Sequence, residues 1–165
     1  MKWRGGSAKT GSMVTDGRAA GGVLLKWVLP SDDAPDADKA LQLRAAIVDD
    51  TVHAIVPPLW IYEVGNTVAR RFPAHAQTWL SALLRFGLEE MPVSQSWLGK
   101  SLELTSRHEV SFYDAAYHAL ALLHKGLFVT ADAKYANRAS ESGSVITLAE
   151  WKPPVPRESR RHSKQ

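Results

Sequence analysis

Along this chain, short apolar runs alternate with longer stretches of helical spacing. "HAIVPP" (53–58), "LFVTAD" (127–132) and "SVITL" (144–148) have the length and apolar character of strands, and "LEEMPV" (88–93) and the short "SMVT" (12–15) are weaker cases. Between them, "SDDAPDADKALQLRAAIVDD" (31–50) opens on acids, continues with Leu and Ala at helical intervals and stops at a polar pair, so it reads as a helix. Helices are also predicted for "LWIYEVGNTVARRF" (59–72), for "AHAQTWLSALLRFG" (74–87) with its glycine stop, and for "SQSWLGKSLELTSRHEV" (94–110). "SFYDAAYHALALLHKG" (111–126) is apolar nearly all round and belongs deep in a core, and "AKYANRASESG" (133–143) is a short helix. Strands alternating with crossover helices predict a parallel sheet covered on both faces. In such sheets ligands bind beyond the carboxyl ends of the strands.

Three acids interrupt this pattern. In the helix over 59–72, Trp60, Ile61, Val64 and Val68 share one side, while Glu63, Asn66 and Arg70 form a polar stripe. An ordinary solvated face would look the same. Asp114 stands in the first turn of the most apolar helix, three residues after Ser111, a spacing that also makes a capping box. Asp132 follows the strand "LFVT" two residues past Thr130, where it could equally cap the next helix. Each acid alone has a structural explanation. As a set, all three fall where a parallel sheet would bring them to one edge.

Carboxylates gathered without enough Lys or Arg repel one another, and a hard divalent cation is the usual remedy. Magnesium suits oxygen ligands and phosphate, so the chemistry implied is metal-assisted hydrolysis of a phosphodiester. Thr130 and Asn66 would orient carboxylates or waters. His118, one turn after Asp114, could face the pocket or be a satisfied core histidine.

Composition narrows the alternatives. The 165 residues suit one domain, and 45% hydrophobic content with 6 Trp, 4 Tyr and 4 Phe is that of a globular protein. Cysteine is absent, which excludes disulfides, thiolate zinc sites and a cysteine nucleophile, and fits a reducing cytoplasm. There is no HExxH pair, GxSxG elbow, Walker A loop or membrane-spanning run, and residues near the start lack the apolar stretch and cleavage site of a signal peptide, so a soluble, intracellular protein is the expectation. Five of the 20 Lys and Arg fall in residues 1–26 and five in 152–165; those ends hold one acid each, Asp16 and Glu158, of 17 in all. The stretch between is therefore net −5, an acidic globule with basic ends. The expected organisation is a disordered extension (1–12), a single domain (13–151) and a disordered basic tail (152–165). The ends could also help to hold a polyanion.

The stretches "LLKWVLPSDDAPDADKA", "VPPLWIYEVGNTVARR", "VSFYDAAYHALAL" and "LFVTADAKYANRA", in this order, resemble the PIN-domain ribonucleases, specifically the VapC-type toxins of bacterial toxin-antitoxin pairs. The resemblance spans about residues 13–151. It implies a PIN-like three-layer α/β/α sandwich around a parallel sheet, and Mg2+- or Mn2+-dependent endonuclease activity on single-stranded RNA. It also implies homodimers and a cognate antitoxin that inserts a segment across the active site. Carried over by position, it makes Glu63, Asp114 and Asp132 acids of the metal pocket, with Asn66 and Thr130 beside them. Arg70 or Arg71 would draw in RNA phosphates.

One departure stands out. Family members have an aspartate where Ala20 stands here, six residues before Lys26; the nearest candidate, Asp16, precedes Lys26 by ten. "MVTDGRAAGGVLLKW" thus reads as the family's start with four extra residues, mostly small, and Met13 is a second candidate start. A glycine-rich bulge could leave Asp16 in the pocket as a fourth metal ligand, or the insertion could pull it out. The alternative to an active enzyme is therefore a catalytically impaired PIN-like module that binds antitoxin or RNA without cleavage. A phosphoacceptor domain fits less well, because "SVITLAEW" lacks the lysine that such a site needs after a late strand.

Overall fold

The computed structural model describes residues 12–15, as backbone only, 22–29 and 35–154. Asp16, the insertion (Arg18 to Gly21), nearly all of the expected extension (1–12) and most of the basic tail lie outside the described residues.

Among the described residues, five strands form one sheet in which every pairing is parallel: β1 (Ser12–Thr15), β2 (His53–Val56), β3 (Glu89–Glu90), β4 (Leu127–Thr130) and β5 (Val145–Thr147), in the order β3-β2-β1-β4-β5. β1, short and weak by sequence, is the central strand. Val14 pairs with Ile55 on one side and Phe128 on the other. Before β2 come α1 (Val23–Lys26) and α2 (Ala37–Val48), and between β2 and β3 come α3 (Trp60–Arg71) and α4 (Ala76–Phe86). α5 (Gln95–His108) and α6 (Phe112–Leu123) precede β4, and α7 (Ala133–Ala139) follows it. Right-handed crossovers place α1 to α4 on one face and α5 to α7 on the other. The result is the expected α/β/α sandwich. No helix among the described residues is long and apolar enough to cross a membrane.

Most predicted elements are present with shortened ends. α2 begins only at Ala37, because Pro35 and the left-handed Asp36 (φ 58°) form a turn in front of it. α1 was not anticipated; its four residues are all buried, Lys26 included, whose Nζ donates to the Pro35 carbonyl at 2.6 Å. Gly87 ends α4 in the left-handed region (φ 74°), as a glycine stop should.

α6 is the core helix. Residues 114–121 are buried without a break, and Tyr117 stacks on Phe128 of β4 with centroids 5.9 Å apart. Trp97 of α5 fastens it from outside, its indole N–H donating to the Ala116 carbonyl at 2.8 Å.

Candidate active site

In a parallel sheet the connections fix which element ends share an edge. α3 starts four residues after β2 ends, and β4 begins four residues after α6 ends. The amino ends of α3 and α6 therefore lie at the carboxyl edge of the sheet, with the loop that follows β4.

Asp114 is 5% exposed. A carboxylate this deep requires partners. Ser111, whose extended backbone makes it the N-cap of α6, accepts from the Asp114 backbone N–H (3.2 Å) and donates its hydroxyl to Asp114 Oδ2 (2.6 Å). The capping role foreseen for Ser111 is thus real, and the same hydroxyl positions the acid. Asp114 also acts on Tyr135 of α7: burial, and then the Asp114 charge, push that phenol well above its ordinary pKa and hold it protonated.

Glu63 meets α6 through Tyr117, one turn beyond Asp114. The Tyr117 hydroxyl donates to Glu63 Oε2 at 2.5 Å. Because α3 and α6 cover opposite faces, this hydrogen bond links the two layers near the edge. The polar stripe of α3 consequently divides. Glu63 is half-buried and bonded, whereas Asn66 and Arg70 are exposed, and Asn66 makes no side-chain hydrogen bond among the described residues. Arg71 is exposed as well, with its guanidinium carbon 5.3 Å from the Phe72 ring centroid.

Asp132 caps α7. Its Oδ1 accepts from the backbone N–H groups of Lys134 (2.9 Å) and Tyr135 (3.0 Å), and its own N–H donates to Thr130 Oγ1 (3.0 Å), a buried hydroxyl at the end of β4. Oδ2 carries no hydrogen bond among the described residues.

His118 is fully buried and belongs to the core. Nε2 lies 2.6 Å from the Gly143 carbonyl, which can only accept, so the proton sits on Nε2 and Nδ1 accepts from the Tyr135 hydroxyl at 2.9 Å. Burial pulls its pKa below the usual histidine range, against the pull of the Gly143 hydrogen bond.

These contacts join the acids indirectly. Asp114 shares α6 with Tyr117, which holds Glu63, and acts on Tyr135, whose N–H holds Asp132. Among the described residues, no three His, Cys, Asp or Glu side chains form a group that could hold a metal ion. The donor chemistry, carboxylates with neighbouring hydroxyls and no sulfur, is that of a hard divalent ion. Asp16 lies outside the described residues; β1, which it follows in sequence, ends at Thr15, paired with Val129. The tyrosines are what sequence reasoning missed. A signal was present: Tyr117 and Tyr135 each stand three residues after an acid, at a spacing that shares a helix face.

A family model described as "PIN domain" matches residues 22–141. No curated protein matches the chain.

Proposed function

The chain belongs to the PIN domain family, whose members are generally nucleases, and from that premise we propose that it is a divalent-metal-dependent endoribonuclease, the toxin component of a toxin-antitoxin pair. The observation that carries the nuclease reading is Asp114, a carboxylate buried at the carboxyl edge of the sheet, with Glu63 held against the same helix by Tyr117. PIN domain nucleases typically use divalent ions. Asp114, Glu63, Asp132 and Asp16 are the residues that would hold Mg2+ or Mn2+. Such an ion, when bound, supplies an activated water and stabilises charge on the phosphate.

The chain's own groups prepare the site. Ser111 fixes the rotamer of Asp114, Tyr117 holds Glu63 against α6, and Thr130 orients the turn that presents Asp132. Tyr135 stays a neutral donor and adds no second negative charge beside Asp114. The toxin role, with a homodimer and a cognate antitoxin, is supported by the stretches that resemble VapC-type toxins.

The test is cleavage of structured RNA by purified protein with and without Mg2+, using Asp114→Asn and Asp132→Asn. Asparagine caps a helix as well as aspartate does, so Asp132→Asn keeps α7 while removing the charge. Each variant is expected to lose about 100-fold or more in rate, on the scale of several kcal/mol of charge stabilisation. Wild-type rates in both would refute the assignment. A wild type that is inert until Arg18 to Gly21 are deleted would indicate the impaired module.

A further inference from the structure

The corner between α3 and α4 has a character opposite to the acid site. From Val64 to Leu88 the sequence contains no Asp or Glu, although the central stretch of the chain is net −5. The same segment carries Arg70, Arg71, Arg85 and His75, all exposed, and neither Arg70 nor Arg71 forms an ion pair among the described residues. Planar groups are arranged in a column beside these charges. The Arg71 guanidinium lies over Phe72, Phe72 lies 5.2 Å from Trp79 at 52°, and His75 stacks on Trp79 at 5.0 Å and 12°. The column ends at His75.

A cationic segment without acids complements a polyanion, and an exposed ring, His75, stacked on a half-buried one, Trp79, complements an unpaired base. We infer that the α3–α4 corner is a stacking site for an unpaired base of a single-stranded polynucleotide, with Arg70 and Arg71 on the flanking phosphates. The inference rests on the nuclease reading for its biological sense, but the site is separate from the acids. Arg71 is eight residues beyond Glu63, about 12 Å along the helix at the ordinary rise. Every base has a π-face, so such a site anchors the strand without reading its sequence.

The experiment measures anisotropy of fluorescein-labelled rU12 and dT12 in EDTA, which stops hydrolysis and isolates binding. His75→Ala leaves Phe72 and Trp79 in place and is expected to weaken both oligonucleotides by roughly 5- to 150-fold, the range for loss of one stacked base. Arg71→Ala should lower the slope of log affinity against log salt by about one. Sugar discrimination would show as loss of dT12 binding alone and still support a base-stacking site. Unchanged rU12 affinity in His75→Ala would overturn the inference, as would a 12-base-pair RNA duplex that binds as tightly as rU12. If Arg71→Glu abolishes concentration-dependent self-association in sedimentation while rU12 binding is unaffected, the corner is a protein interface and the inference again fails. Failure of the nuclease reading looks different: no divalent ion would produce cleavage, yet His75-dependent binding would persist.

Discussion

Helices α6 and α4 are almost equal in length, twelve and eleven residues, and they use their surfaces in opposite ways. α6 buries eight consecutive residues, and the polar groups among them, Asp114, Tyr117 and His118, all have hydrogen-bond partners. α4 buries Leu83 alone and leaves its polar side in water. Polar groups inside α6 can neither move nor lose a partner cheaply, because an unmet donor there has no water to replace it. α4 is under no such constraint. The molecule thus places its acids on the helix that is costly to alter and its cationic, aromatic corner beside the one that is not.

The contrast can be broken by substitution. The largest effect is expected for Leu120→Ala in α6, about 3 kcal/mol of stability by urea denaturation, since Leu120 is fully packed. Next is His118→Leu, expected to cost about 2 kcal/mol by leaving the Tyr135 hydroxyl buried without a partner.

His118 also sets a pH dependence. Its folded-state pKa is depressed, so as pH falls below about 6.5 the unfolded chain takes up a proton that the folded chain refuses. Stability should decline from there down to the lower folded-state value, by at most about 1.4 kcal/mol per pH unit. Denaturation midpoints of wild type and His118→Gln between pH 7.5 and 5 check this, and parallel profiles would contradict it.

Asp132→Ala should cost about 1 kcal/mol through loss of the α7 cap, while Asp132→Asn costs almost nothing. Smallest is Leu84→Ala on α4, within about 0.5 kcal/mol. A cost equal to that of Leu120→Ala would erase the distinction between the two helices.

Most helices and the strands β2, β4 and β5 were legible because their signals are local: periodicity, the serine caps at Ser94 and Ser111, and the glycine stop at Gly87. β1 was a weak strand by sequence because "SMVT" is short and its place is set by pairing with β2 and β4, which no local pattern encodes. α1 was missed because "VLLK" is one turn of wholly buried residues, too short for a periodicity to appear. At the site, the acids were legible by position. What ties them together was not, since tyrosines in an apolar helix look like core until their hydroxyls find partners, as Tyr117 does on Glu63. Arg71, Phe72, His75 and Trp79 were legible as residues, but the column they build depends on the angle between α3 and α4.

The central position of β1 has a consequence for how the protein is made. Met13 pairs with Ala54 on one side and, on the other, with Leu127, which is synthesised 114 residues later. Until then the growing polypeptide holds a sheet with an open seam, exposing backbone that seeks a strand. Assembly must therefore wait for β4, which favours slow, late closure and makes a nascent chain vulnerable to pairing with the wrong edge.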